Sequence, residues 1–125
     1  MEIKLTPTES EMYFHNALCN SLNYIYGYGL RLDYDEQDYK DAKVKLNNPC
    51  FEDVLMQILK DGKTITMEDI EGEGEYTSTI TIQDVHDKVQ KTPLYHLSRM
   101  IHEDDDSETG DAILQIVFFS DIIFG

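Results

Sequence analysis

The stretch from Gly110 to Ser120, GDAILQIVFFS, decides what kind of fold this chain can adopt. Ile113, Leu114, Ile116, Val117, Phe118 and Phe119 leave no polar side at helical spacing, so protein must surround the element in either conformation. Its β-branched and aromatic residues favour a strand. Thr109, placed to cap an element beginning at 110, favours a helix. We read residues 110–120 as a central helix.

The neighbouring segments follow from periodicity. Leu94, Leu97 and Ile101 predict a helix after Thr92-Pro93, a capping residue followed by the proline favoured at a first helical position. A short helix over 83–91 turns Val85 and Val89 inward. Lys63 to Ile70 and Glu75 to Ile82 are rich in Thr and Ile, alternate, and flank Glu71-Gly72-Glu73-Gly74-Glu75, which reads as a β-hairpin. Two strands alone are marginal, so residues 1–5 or 28–34 are candidates for a third. Phe51, Val54, Leu55, Ile58 and Leu59 share one face of a helix that Gly62 stops. Asp35 caps a helix over 36–47 with Tyr39, Ala42 and Leu46 inward. Thr6-Pro7-Thr8-Glu9 is a capping box opening a helix to about Tyr26, with Phe14, Leu18, Leu22 and Ile25 as its stripe. These elements predict a single α+β domain spanning 1–125, mostly helical, with one β-hairpin and a candidate third short strand.

Composition limits function. The chain has 125 residues, 10 Lys and Arg against 25 Asp and Glu, and a net charge of −15. An apolar content of 41% is enough for a core, which separates it from disordered acidic chains. Binding nucleic acid or anionic membrane directly needs clustered Lys and Arg, so neither is expected. Residues 1–20 show no signal-peptide pattern, and the longest apolar stretch, 113–125, is interrupted and too short to span a bilayer. Cys19 and Cys50 are the only cysteines, read as two buried thiols of a cytoplasmic protein rather than a bridge.

Chemistry leaves little trace. A helix–loop–helix calcium site needs Gly at its sixth place and Glu at its twelfth. Counted from Asp104 these places hold Thr109 and Gln115, and counted from Asp105 they hold Gly110 and Ile116. His15, His86, His96 and His102 show neither a His-x-x-x-His nor a Cys-x-x-Cys pattern. Neither Cys has a basic neighbour, no Gly-x-Ser-x-Gly occurs, and Gly72 and Gly74 lie among glutamates that would repel phosphate. We therefore expect no catalytic residue, no cofactor and no metal.

The distribution of acid is more informative. Thr64 to Asp87 contains seven acids and Met100 to Gly125 seven more, with no Lys or Arg in either stretch. Interspersed signs would serve solubility. Segregated acid creates a field that draws in basic surfaces. The expected partner is a basic protein, such as a nuclease or other nucleic-acid-binding protein, blocked in the manner of a nucleic-acid mimic or immunity protein. The candidate contacts are Glu68, Asp69, Glu71, Glu73 and Glu75 in the hairpin, with Glu103, Asp104, Asp105, Asp106, Glu108 and Asp111 near the final helix. Tyr13 and Tyr24 join them, since both lie off the apolar stripe of the first helix and tyrosine is enriched at interfaces. Two alternatives are a metal-dependent hydrolase or metal-binding protein using the acids of 103–111, and a subunit of a larger assembly docking through its apolar C-terminal element.

Overall fold

Helix, not strand, is what the deciding stretch forms. The computed structural model of the chain describes residues 3–103 and 106–125. In order, its elements are α1 (Pro7–Gly27), β1 (Leu30–Asp33), α2 (Glu36–Lys43), α3 (Phe51–Lys60), β2 (Ile65–Asp69), β3 (Ser78–Ile80), α4 (Ile82–Lys88), a 3₁₀ turn (Val89–Lys91), α5 (Leu94–Ile101) and α6 (Ser107–Phe119). The expected α+β class holds, with helices dominant and the sheet small.

Helix α6 begins earlier than its hydrophobic residues suggest. Asp106 is its N-cap, and the carboxylate accepts the Thr109 N–H at 3.0 Å. Thr109 is therefore inside the helix and buried, not the cap. Every residue from 109 to 118 is buried. Helix α1 lies antiparallel along it. Ser21 Oγ donates to the Ser107 carbonyl at 2.7 Å near one end, and the rings of Phe14 and Phe118 stand 6.2 Å apart near the other. Close approach depends on Gly110, where a β-carbon would collide with Ser21 Oγ and lie 3.3 Å from Ala17 Cα.

The capping box of α1 forms as expected, with Thr6 and Glu9 exchanging side-chain and backbone bonds. Phe14, Leu18, Leu22 and Ile25 are buried, but so are Ser10, Tyr13, Ala17 and Ser21. Two adjacent faces of α1 thus enter the core. Apart from Ala112 and Ile116, the buried apolar residues of these elements form one cluster.

The three strands are antiparallel in the order β1-β2-β3. Leu30, Leu32, Ile65, Met67, Asp69 and Ile80 are buried on one face. On the other, Arg31 bonds Glu68 at 3.0 Å and Thr66 Oγ1 bonds Thr79 Oγ1 at 2.8 Å. Of the two candidates for a third strand, 28–34 supplies it. Residues 3–5 form none, and Leu5 N–H donates to Gln90 Oε1.

Three boundaries or faces differ from expectation. Helix α2 ends at Lys43: Val44 is 82% exposed and Asn48 turns left-handed at φ 54°, while Leu46 still packs against the core from beyond the helix. The strands are shorter than the alternating pattern, so the connection between them runs from 70 to 77. Helix α5 buries Leu97 and Met100 and leaves Leu94 55% exposed. A helix of eight residues admits either phase, and contact with α6 selects the one that also brings His96 to 3.4 Å from Thr109 Oγ1. Thr92 does not cap this helix. Pro93 occupies the cap position, and Thr92 Oγ1 is buried with no hydrogen-bond partner among the described residues.

The tail after α6 folds back along it. Gln115 Oε1 accepts the N–H groups of Ile123 and Phe124 at 2.7 and 2.8 Å, and its Nε2 donates to the Phe124 carbonyl and to Asp111. Among the described residues no helix is long and apolar enough to cross a membrane.

Candidate functional site

The acidic residues singled out in the sequence divide into those that build the fold and those that face outward. Asp69 is 5% exposed and acts inside the hairpin connection. Its carboxylate accepts the N–H groups of Gly72 at 2.7 Å and Tyr76 at 3.1 Å, and its carbonyl accepts that of Gly74. One buried anion thereby satisfies a turn's backbone donors, and Asp69 is not available to a partner. Asp111 is likewise 8% exposed, accepting the Tyr28 hydroxyl at 2.7 Å and the Gln115 amide. Burial, followed by this bond to an anion, pushes the Tyr28 hydroxyl well above its ordinary pKa. Asp106 is exposed but occupied. The Thr109 N–H it caps, and then Arg99 at 3.2 Å, hold its carboxyl below the usual range. Asp106 and Asp111 thus each serve a bond within the fold.

Glu71, Glu73, Glu75, Glu103 and Glu108 are exposed, and no Lys, Arg or His among the described residues forms an ion pair with them. Glu68 is half-buried and paired with Arg31. Asp104 and Asp105 lie outside the described residues. Glu73 and Glu103 sit at φ 56° and 57°, a left-handed conformation that costs roughly 1 kcal/mol or more for a residue with a β-carbon.

Tyr13 and Tyr24 part company. Tyr13 is 7% exposed and belongs to the core, because the face of α1 that carries it is covered as well. Tyr24 is 44% exposed. It lines a cleft of about 360 Å³ with Tyr28, His96, Glu108, Asp111 and Phe124. The hairpin connection reaches the same region. Tyr76 packs edge-on against Phe124 at 5.4 Å, Phe124 stacks on Tyr28 at 5.0 Å, and the Glu71 carboxyl lies against Gly29, where a β-carbon would strike it. Glu71 therefore lies against the Tyr28-Gly29 turn, and Glu108 lines the cleft that Tyr28 also lines.

A second arrangement escaped the sequence patterns. Cys19 and Cys50 are both exposed and unbridged, not buried. Cys19 stands one turn after His15 on α1, and Cys50 is the N-cap of α3 with Asp53 three residues on. His15 Nε2 lies 2.8 Å from Asp53 Oδ1, and Cys19 Sγ is 3.9 Å from either ring nitrogen of His15. The ligand atoms of His15, Cys50 and Asp53 all lie within 4.8 Å of one another, the one such group among the described residues. Hydrogen bonds from the Cys50 thiol and N–H, and then from His15, hold the Asp53 carboxyl below its ordinary value. Desolvation, then the negative Glu52, pushes the Cys19 thiol up to about 11. The cluster borders a cleft of about 410 Å³ between α1 and α3, where Glu11 binds His86 at 2.8 Å and Lys60 at 3.4 Å. Each half of this constellation is weak alone in the sequence, His-x-x-x-Cys and Cys-x-x-Asp. Only the packing of α1 against α3 joins them.

Comparison with protein-family models, curated proteins and solved structures finds no match to this chain.

Proposed function

We propose that this is a non-enzymatic acidic interaction protein that binds and blocks a basic, nucleic-acid-acting protein. The observation carrying this reading is that Glu71, from one acid-rich stretch, lies against Gly29, while Glu108, from the other, lines a cleft with the neighbouring Tyr28. Exposed carboxylates on an anchored loop, as at Glu71, and in the first turn of a helix, as at Glu108, present fixed negative charge to a partner, with little rotamer loss beyond the glutamate side chains themselves. Tyr24 supplies adjacent apolar area with a polar tip.

The docking alternative loses its element, since α6 buries its apolar surface inside its own fold. The metal alternative loses Asp106 and Asp111, which are engaged elsewhere.

The test is capture from a lysate of the source organism on the immobilised protein, beside a Glu71→Gln/Glu73→Gln/Glu75→Gln/Glu108→Gln variant. The expected result is a basic protein retained at low salt, released as salt rises or as duplex DNA is added, and lost from the variant. Equal capture by both proteins, or capture indifferent to salt and DNA, would overturn the proposal.

A further inference from the structure

We infer that His15, Cys19, Cys50 and Asp53 form a zinc site that clamps α1 to the N-terminus of α3. The geometry is near what the metal needs. Zn–S of about 2.3 Å and Zn–N or Zn–O of about 2.0–2.1 Å in a tetrahedron imply ligand–ligand edges of roughly 3.3–3.8 Å. His15, Cys50 and Asp53 already lie within 4.8 Å of one another, with His15 and Asp53 at 2.8 Å, while Cys19 is 3.9 Å from His15 but outside that three-residue group. Cys19 and Cys50 are both exposed, so closing the tetrahedron asks Cys19 to swing in from beside His15 and the Cys50 thiol to exchange its bond to Asp53 for one to the metal.

The donor set selects the ion. Two sulfurs, an imidazole and one carboxylate suit zinc and disfavour magnesium and calcium, which take oxygen ligands. Glu52, next in sequence to Asp53, adds negative potential for a dication, and its influence already reaches Cys19. The second ligand pair is also well fixed: Asp53 Oδ2 accepts the Cys50 N–H at 3.2 Å, which orients the carboxylate from behind, as partners of metal ligands commonly do. Binding would displace the thiol protons, so two protons leave as one Zn²⁺ enters. The clamp would join residues 15–19 to 50–53 and so close the segment carrying β1 and α2 into a loop. The site is separate from the acidic end around Tyr28, so the two functions fail independently.

The experiment is a Co²⁺ titration of the full chain, kept reduced, followed by back-titration with Zn²⁺. One equivalent of Co²⁺ is expected to give a near-ultraviolet thiolate charge-transfer band and the intense visible bands of tetrahedral coordination, both abolished by one equivalent of Zn²⁺. Cys50→Ser and His15→Ala should lose the visible bands, and Cys19→Ser should lose about half of the thiolate absorption. Zinc at a hundredfold excess over its Kd should raise Tm by about 10 °C in the wild type and in a His86→Ala control, and not in Cys50→Ser. These side chains are at the surface, so circular dichroism in EDTA should match the wild type and separate lost binding from lost folding. Spectra unchanged by Co²⁺, only the weak bands of an octahedral ion, or a zinc-induced Tm rise that persists in Cys50→Ser and His15→Ala would overturn the proposal.

Discussion

Toward α6, helix α1 presents Phe14, Ala17 and Ser21, all buried, to Gly110 and Phe118. Toward α3 it presents Glu11, His15 and Cys19 beside a cleft of about 410 Å³. One helix thus has a dry contact governed by shape and a wet one governed by ionisable groups. On the first side a change of one methyl group is felt throughout the core. On the second a change alters which ions and protons are held and leaves the packing nearly intact.

Gly110→Val is the sharpest way to break that contrast. Its branched side chain would collide with Ser21 Oγ and the α1 backbone, and we expect a loss of about 3 kcal/mol, measured by urea denaturation. A loss under about 0.5 kcal/mol, the range of ordinary surface changes, would show that the two helices do not pack closely there. Gln115→Leu should have the next largest effect. It keeps the apolar volume but strips the Ile123 and Phe124 N–H groups of their acceptor, at a cost of about 1–2 kcal/mol by the same measurement. Wild-type stability in that variant would mean that water replaces the amide at no cost.

The smallest effect lies on the wet side. The Asp53 carboxyl is held below its ordinary value by Cys50 and then His15. Its contribution is therefore complete above the unfolded carboxylate pKa of about 3.9 and is lost as pH falls through the lower folded value. Asp53→Asn should lower stability slightly at neutral pH, where the contribution is complete, and not at all once pH is below the folded value, so the variant's stability falls less steeply with acid below about pH 4. The side chain is 42% exposed, so solvent screens it and the difference is small. An acid limb of the same slope in both proteins, compared by denaturation at several pH values without metal, would remove Asp53 from the ion pair.

How much of this was legible in the chain depends on where each residue's partners lie. Helix α3 and the capping box of α1 were readable because their determinants are within one or two turns. The helical state of residues 107–119 was readable too, but its start was not, since Asp106 caps better than Thr109 and the hydrophobic pattern begins later. The face of α5 was misjudged because Leu94 and Met100 are equally apolar and α6 alone chooses between them. Buried acids were the deeper difficulty. Asp69 and Asp111 look like their exposed neighbours in sequence, and what distinguishes them is the backbone of residues 72–76 and the hydroxyl of Tyr28, delivered by folding. The His15–Asp53 cluster was invisible for the same reason, with its halves more than 30 positions apart.

The tail beyond α6 has no regular structure, and most of its side chains are open to solvent. A chain end of that kind ordinarily exchanges its amide hydrogens within moments. Here the Ile123 and Phe124 amides end on a side chain rooted in the most enclosed helix of the protein. Their exchange therefore waits on the release of the buried Gln115 side chain, so these two amides are expected to be protected far longer than their exposure suggests.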